Sequence, residues 1–256
     1  MIPDRAGGAV LARGEYEYRC NDDVAPLSEI WQVAQMSNGY EISSTRTVPS
    51  QSLVIRARAQ VVSGSIARCW LRWCVQGGEE CLATATYRGD RKRKAGGLYR
   101  FRRAGFPVRS VPVKEQHYFP LLRVFSGQLL GALAAEGGRG EVLVPWIQDP
   151  ARSDRLFTPD FSLRTLEHLG VERGGDGGGR VDCYRYGGGQ YENSAEYRLR
   201  DGLLLDYRWQ QGEKIWHVLL KNVCGQWPGE KLWPHARPKP ALTSAVHEGV
   251  GEEVVR

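Results

Sequence analysis

Residues 180–223 read RVDCYRYGGGQYENSAEYRLRDGLLLDYRWQQGEKIWHVLLKNV and carry the clearest order in the chain. From Tyr191 onward, Tyr191, Ala195, Tyr197 and Leu199 fall on one parity, with Asn193 as the polar exception. Leu203, Leu205, Tyr207 and Trp209 continue the alternation beyond Asp201-Gly202. Alternation of this kind marks strands with one face buried and one wet. Keeping both apolar sets on one face calls for a three-residue turn, Arg200-Asp201-Gly202, pairing Leu199 with Leu203, Tyr197 with Leu205 and Ala195 with Tyr207. A second turn of the same length, Gln210-Gln211-Gly212, would set Tyr207 opposite Ile215 and turn His217 onto the aromatic face. Trp216, Val218 and Leu220 compete for that face.

Outward from this stretch the pattern repeats. Segments near 14–20, 29–36, 40–47, 52–62, 66–75 and 81–88 read as strands joined by short polar or glycine turns, among them Ser37-Asn38-Gly39. Sequence neighbours in such a meander are sheet neighbours. A further strand is expected at 108–113 and a short apolar one at 142–147. Two helices are expected. One spans 118–136, with Leu121, Leu122, Phe125, Leu129 and Leu133 at helical spacing and Gly137-Gly138 as the stop. The other starts at Pro159 and ends at Gly170, with Phe161, Leu163, Leu166 and Leu169 on its apolar face. The expected architecture is mainly β: a long antiparallel meander of about 10–11 strands curled into a half-barrel or barrel, with about two helices covering one side. Residues 1–223 form one β-rich domain, and 224–256 a Pro-rich, then charged tail.

Composition sets outer bounds. The chain has 256 residues, a net charge of +6, six cysteines and five histidines. It contains no apolar run long enough for a membrane helix, and its first residues lack a secretion signal, so a cytoplasmic protein is expected. The cysteines show no C-x-x-C spacing and read as small buried hydrophobes. No nucleophile elbow, phosphate loop or histidine pair at metal spacing is present, and neither cofactor nor metal is expected. Residues 88–103, RGDRKRKAGGLYRFRR, hold eight positive charges and one negative. They read as a solvated loop or as a docking site for an anionic partner, such as an acidic carrier protein, through Arg91, Lys92, Arg93 and Lys94. Tyr99 and Phe101 between the arginines suggest base stacking, but nucleic acid ranks last among the partners.

The stretch LFTPDFSLRTLEHLG (156–170), a glycine-rich break, and then RLRDGLLLDYRW and IWHVLLKNV resemble the closing part of half-barrel proteins of the periplasmic lipoprotein-carrier superfamily. They look closest to its cytoplasmic branch, which includes the violacein-pathway enzyme that rearranges an indolepyruvate imine dimer. The resemblance covers about 70 residues and implies a curved sheet clamping an apolar ligand without a cofactor.

Candidate site residues follow from the concave aromatic face. Tyr16, Tyr18, Tyr191, Asn193, Leu205 and Trp209 would contact a hydrophobic ligand. His217, Tyr197 and Tyr207 would move protons. Ser44 and Arg46 share the parity of Ile42 and reach inward. Two functions stand: a cofactor-free enzyme that cyclises, isomerises or rearranges a hydrophobic biosynthetic intermediate, and a non-catalytic lipid or small-molecule carrier. The same aromatics would also make an ordinary core, and whether they line a cavity or fill one separates these readings.

Overall fold

The computed structural model describes residues 8–49, 52–75, 77, 81–90, 96–114, 116–146, 153–173, 179–189 and 191–234, the side chains of 153 and 191–193 excepted. The N-terminal half supplies eight strands: Val10–Cys20 (β1), Asp23–Met36 (β2), Gly39–Val48 (β3), Leu53–Val62 (β4), Ser65–Val75 (β5), Cys81–Gly89 (β6), Gly97–Arg103 (β7) and Arg109–Val113 (β8). His117–Tyr118 (β9) and the helix Ser126–Ala135 (α1) follow. The remaining strands are Arg139–Pro145 (β10), Pro159–Arg173 (β11), Arg180–Gly188 (β12), Tyr191–Arg200 (β13), Leu203–Gln211 (β14) and Lys214–Gly225 (β15). All fifteen belong to one sheet, in the order 8-7-6-5-4-3-2-1-15-14-13-12-11-10-9. Every neighbouring pair is antiparallel except β9 with β10.

This order dictates the overall shape. Strands β8 and β9 are the two edges of the sheet, yet only residues 114–116 separate them in sequence. Such a link reaches about 14 Å at most, so the sheet must roll until its edges meet. The ends in fact overlap. The Tyr118 ring from one end stacks on Tyr87 at 4.3 Å and lies 6.0 Å from Tyr99, both from the other end. The Tyr99 hydroxyl donates to the Phe157 carbonyl at 2.8 Å, and Arg103 Nη1 donates to Thr158 Oγ1. One hydrophobic core fills the roll, drawing on every strand layer and on Leu129, Leu130 and Leu133 of α1.

The mainly β, barrel-like architecture agrees with the alternating pattern of the sequence, while several elements differ from expectation. Residues 159–173 form the strand β11, not a helix. Leu163, Leu169 and Val171 face solvent there, and the inward Arg164 is 2 % exposed. That inversion of polarity mimics a helical period. Gly170, expected as a helix stop, instead sits at a bulge opposite β12. Without a helix at 159–169, the motif behind the lipoprotein-carrier resemblance is not present in that form. Strand β7 lay hidden in the basic run. Its Tyr99 and Phe101 are buried, so they are core residues and not a stacking platform. The first expected helix is shorter, with β9 and a 3-10 turn at Arg123–Phe125 taking its opening residues.

Both turn assignments are also corrected. Arg200 pairs with Leu203, so the β13–β14 turn is the two-residue Asp201-Gly202, with both residues at positive φ (50° and 76°) as a type I′ turn demands. A bulge between Arg198 and Leu199 skips Leu205 and restores the parity, so Tyr197 faces Tyr207 rather than Leu205. At the next turn Gln211 pairs with Lys214, again leaving two residues, Gly212 and Glu213. His217 therefore pairs with Arg208 on the outer face, and Trp216 and Val218 take the inner positions. Of the segment read as a tail from Cys224, residues 224–234 are described, and they place Leu232 and Trp233 in the core. Residues 235–256 lie outside the described residues.

Helix α1 meets the β13–β14 turn so closely that a Cβ on Gly127 would lie 1.9 Å from the Gly202 carbonyl oxygen. That oxygen belongs to the backbone, so Gly127→Ala forces the helix off the turn. It should cost at least about 2 kcal/mol, read as a lowered urea midpoint with an unchanged denaturant slope.

Candidate functional site

The inner aromatic face exists and is full. Rings run from Tyr186 to Tyr197 (5.6 Å between centroids), on to Tyr207 (4.3 Å), to Trp209 (4.6 Å) and to Trp216 (5.6 Å). Tyr16, Tyr18, Tyr197 and Tyr207 are at most 2 % exposed. The 3-10 turn before α1 lies on this face, and the Arg123 guanidinium sits 4.1 Å above Tyr207 and 5.5 Å from Trp209. Space that a hydrophobic ligand would need there is taken by the chain itself.

At the centre of the packing is a carboxylate that the sequence reading missed. Tyr16, Glu29 and Arg46 are direct cross-strand neighbours on β1, β2 and β3. Glu29 is fully buried. Its Oε2 accepts from the Tyr18 hydroxyl (2.9 Å) and from Arg46 Nε (3.2 Å) and Nη2 (2.9 Å). Its Oε1 accepts from Ser44 Oγ (3.1 Å) and from the backbone N–H groups of Arg123 (2.6 Å) and Val124 (3.4 Å). Arg46 Nη2 also donates to the Leu121 carbonyl at 2.7 Å, and Leu121 is held at φ 65°. A buried charge survives when it is paired and saturated with donors. This one also ties the sheet to the entry of the plug helix. The inward positions of Ser44 and Arg46 match expectation. Glu29 shares the parity of Trp31 and Val33, which was the signal available for finding it.

The remaining sequence candidates scatter. His217 lies on the outer face, with Nε2 2.9 Å from Asp206 Oδ2 and 3.3 Å from Arg208 Nε, so it does not join Tyr197 and Tyr207. Leu205 sits half-buried at the β14 bulge. Trp209 is partly buried on the inner ladder. The side chains of Tyr191 and Asn193, and all of Arg91, Lys92, Arg93 and Lys94, lie outside the described residues.

Two spaces deserve comparison with a ligand. Beneath α1 is a pocket of about 100 Å³ bounded by Tyr87, His117, Tyr118, Gly131, Ala135 and Trp233. His117 Nε2 lies 2.9 Å from Glu136 Oε2 at its margin. That volume suits a few waters, not an aromatic intermediate. At the rim, between the β6 and β7 ends, is an open groove of about 540 Å³. Met36, Tyr40, Val62 and Leu98 give it apolar surface, and Arg68, Arg88 and Lys114 give it positive charge, with Asp90 beside them. Among the described residues no cluster of three or more His, Cys, Asp or Glu has metal-site geometry, and no helix is long and apolar enough to cross a membrane.

Comparison with known proteins bears on the fold alone. No protein-family model and no curated protein matches the chain. Among solved structures, the chain is similar to a β-barrel-like protein of the domain of unknown function DUF1849 from Brucella abortus. The match has a TM-score of 0.53 at 10% identity and covers 87% of this chain and 100% of that one. It agrees with a barrel-like sheet and lends nothing to a lipoprotein-carrier or imine-rearranging kinship.

Two predictions follow from the buried polar groups. Glu29→Gln leaves the Arg46 charge without its counter-ion and should cost about 3 kcal/mol or more in equilibrium unfolding, with Glu29→Gln/Arg46→Met recovering part of the loss. The second concerns alkaline pH. Burial pushes the Cys69 thiol from 9.0 up to about 12 and the Tyr87 hydroxyl from 10.0 up to about 12. Burial likewise raises the hydroxyls of Tyr16, Tyr99 and Tyr118 well above their ordinary value. The folded chain keeps these protons where the unfolded chain releases them. Stability is therefore complete below about pH 9 and falls as pH rises toward 12, by about 1.4 kcal/mol per pH unit for each group titrating. Urea midpoints between pH 8 and pH 11 measure the decline, and a flat profile contradicts the burial of these groups.

Proposed function

We propose that this protein is a non-catalytic binding protein for a small amphipathic anion held in the rim groove. The observation that carries the reading is the meeting of apolar surface and three cationic side chains in one open space of about 540 Å³. That volume lies within the range of small-molecule sites, which combine apolar walls with a few placed polar groups. A ligand with an apolar body and a carboxylate or phosphate head fits this division. Its body would lie on Tyr40, Val62 and Leu98, and its head would meet Arg88 and Lys114.

The enzyme reading asked for a cavity along the aromatic face, with His217 as the proton carrier. It loses ground because that face is packed and His217 lies on the other side of the sheet. Of the two functions considered from sequence, the carrier is the one this geometry favours, with its ligand moved from the interior to the rim.

The test is titration of the full chain with a fluorescent fatty acid and with its uncharged methyl ester. The acid should bind saturably and the ester at least tenfold more weakly. Lys114→Gln combined with Arg88→Glu should weaken the acid about tenfold or more, and mass spectrometry should return the ligand unchanged. Absence of saturable binding, or equal binding of acid and ester, would sink the proposal. A chemically altered ligand would restore the enzyme.

A further inference from the structure

The outer face of β4–β7 is unlike the rest of the barrel surface. The register sets three rows of four outward residues across these strands. Arg56, Arg72, Thr84 and Arg102 form one, Arg58, Trp70, Thr86 and Arg100 the next, and Gln60, Arg68, Arg88 and Leu98 the third. Seven of the twelve positions are arginine and none is acidic. The nearest carboxylate in register, Glu41 on β3, is buried and already bound to Arg58 at 2.7 Å. Glu79 and Glu80, in the β5–β6 connection, lie outside the described residues.

The far side of the sheet handles its charges differently. On that side Arg185 pairs with Glu167, Arg198 with Glu172, Arg19 with Glu17 and Lys221 with Glu15. On β4–β7 arginine faces arginine: Arg56 stands opposite Arg72, whose Nε donates to Cys81 Sγ at 3.1 Å, and Arg68 stands opposite Arg88. Like charges directly opposed across a ladder are destabilising. An anion laid over the rows would relieve that repulsion.

We propose that this face binds single-stranded nucleic acid, with the arginines on the phosphates and Trp70 stacking on a base. Guanidinium groups grip phosphate oxygens in a bidentate fork. Trp70 occupies the middle row, with Arg68 and Arg72 on its own face two residues away along the strand and Arg58 beside it on β4. Arginines around one aromatic on a sheet surface are the elements of sequence-tolerant single-strand binding. A bilayer is the poorer fit, since Leu98 is the one aliphatic side chain among the twelve and membrane-surface elements bury a broad apolar face. This inference goes beyond the groove and does not depend on it, although Arg68 and Arg88 border both.

The experiment is fluorescence anisotropy of the full chain with a labelled oligouridylate of about 20 nucleotides. Variants away from the groove separate the two proposals. Arg100→Gln/Arg102→Gln should weaken binding and lower the slope of log affinity against log salt by about 1.4, the share of two phosphates. Trp70→Ala should lose about tenfold, and Trp70→Phe should keep most of the affinity. Lys114→Gln should weaken fatty-acid binding without changing oligonucleotide binding. Both arginines are exposed, so an unchanged melting temperature verifies that folding is intact. No binding at about 50 mM salt overturns the proposal. So does binding that the arginine pair leaves unaltered, which would assign the affinity elsewhere. Phosphatidylglycerol vesicles that bind in a Trp70-independent way and displace the oligonucleotide would also overturn it, in favour of a lipid surface.

Discussion

The carboxylate of Glu29 is the constraint on which this structure depends. It stands inside a rolled sheet, where an uncompensated charge would be very costly, and six donor groups from five residues converge on it. Three of those residues lie on the strands, and two are backbone N–H groups at the entry to α1. The helix itself offers no acidic residue in its first turn and no side-chain N-cap. Its approach is thus anchored from outside, by a group the sheet supplies. Once the turn is tied down, Arg123 covers Tyr207, the aromatic ladder is sealed, and the interior becomes core. The larger open space lies at the rim.

The sheet tolerates local irregularity because its faces must stay sorted. The β13–β14 hairpin shows how. The tight Asp201-Gly202 turn by itself would put Leu199 against Leu204 and send the next inward residues outward. One bulge absorbs the extra residue, and Tyr197 and Tyr207 meet on the inside. The same device appears at Glu15/Tyr16, Gln60/Val61 and His168/Gly170. Bulges also increase local twist and bending, which a sheet rolled onto its own edge requires.

Much of this was legible in the residues, and the failures have physical causes. Period-two alternation located most strands, because a half-buried sheet must alternate. It failed for Pro159–Arg173, where Arg164 points inward over Tyr186 and leucines point out. It also failed for Gly97–Arg103, where a count of charges hid the inward pair Tyr99 and Phe101. Parity arithmetic gave the correct inner face for Tyr197 and Tyr207 but the wrong turn, since a bulge leaves no residue-type signature at Leu204-Leu205. His217 went to the wrong face for a related reason: a two-residue turn and a three-residue turn read alike around Gly212. Glu29 was visible as an acid at an inward position. Its importance was not, because its partners lie 11 to 95 residues away in sequence.

The place of β1 beside β15 has a consequence for how the chain comes into being. β1 is the middle strand of the finished sheet, and the strand that completes its pairing, β15, is the last of the fifteen in sequence. During synthesis, β1–β8 can assemble as a meander from local hairpins. The far edge of β1 must then wait, unpaired, for about 100 further residues to emerge. An unpaired edge is a template for the wrong partner. The closing step joins β1 to β15, so a ribosome that stops short of Lys214 leaves a sheet in two halves with the seam open.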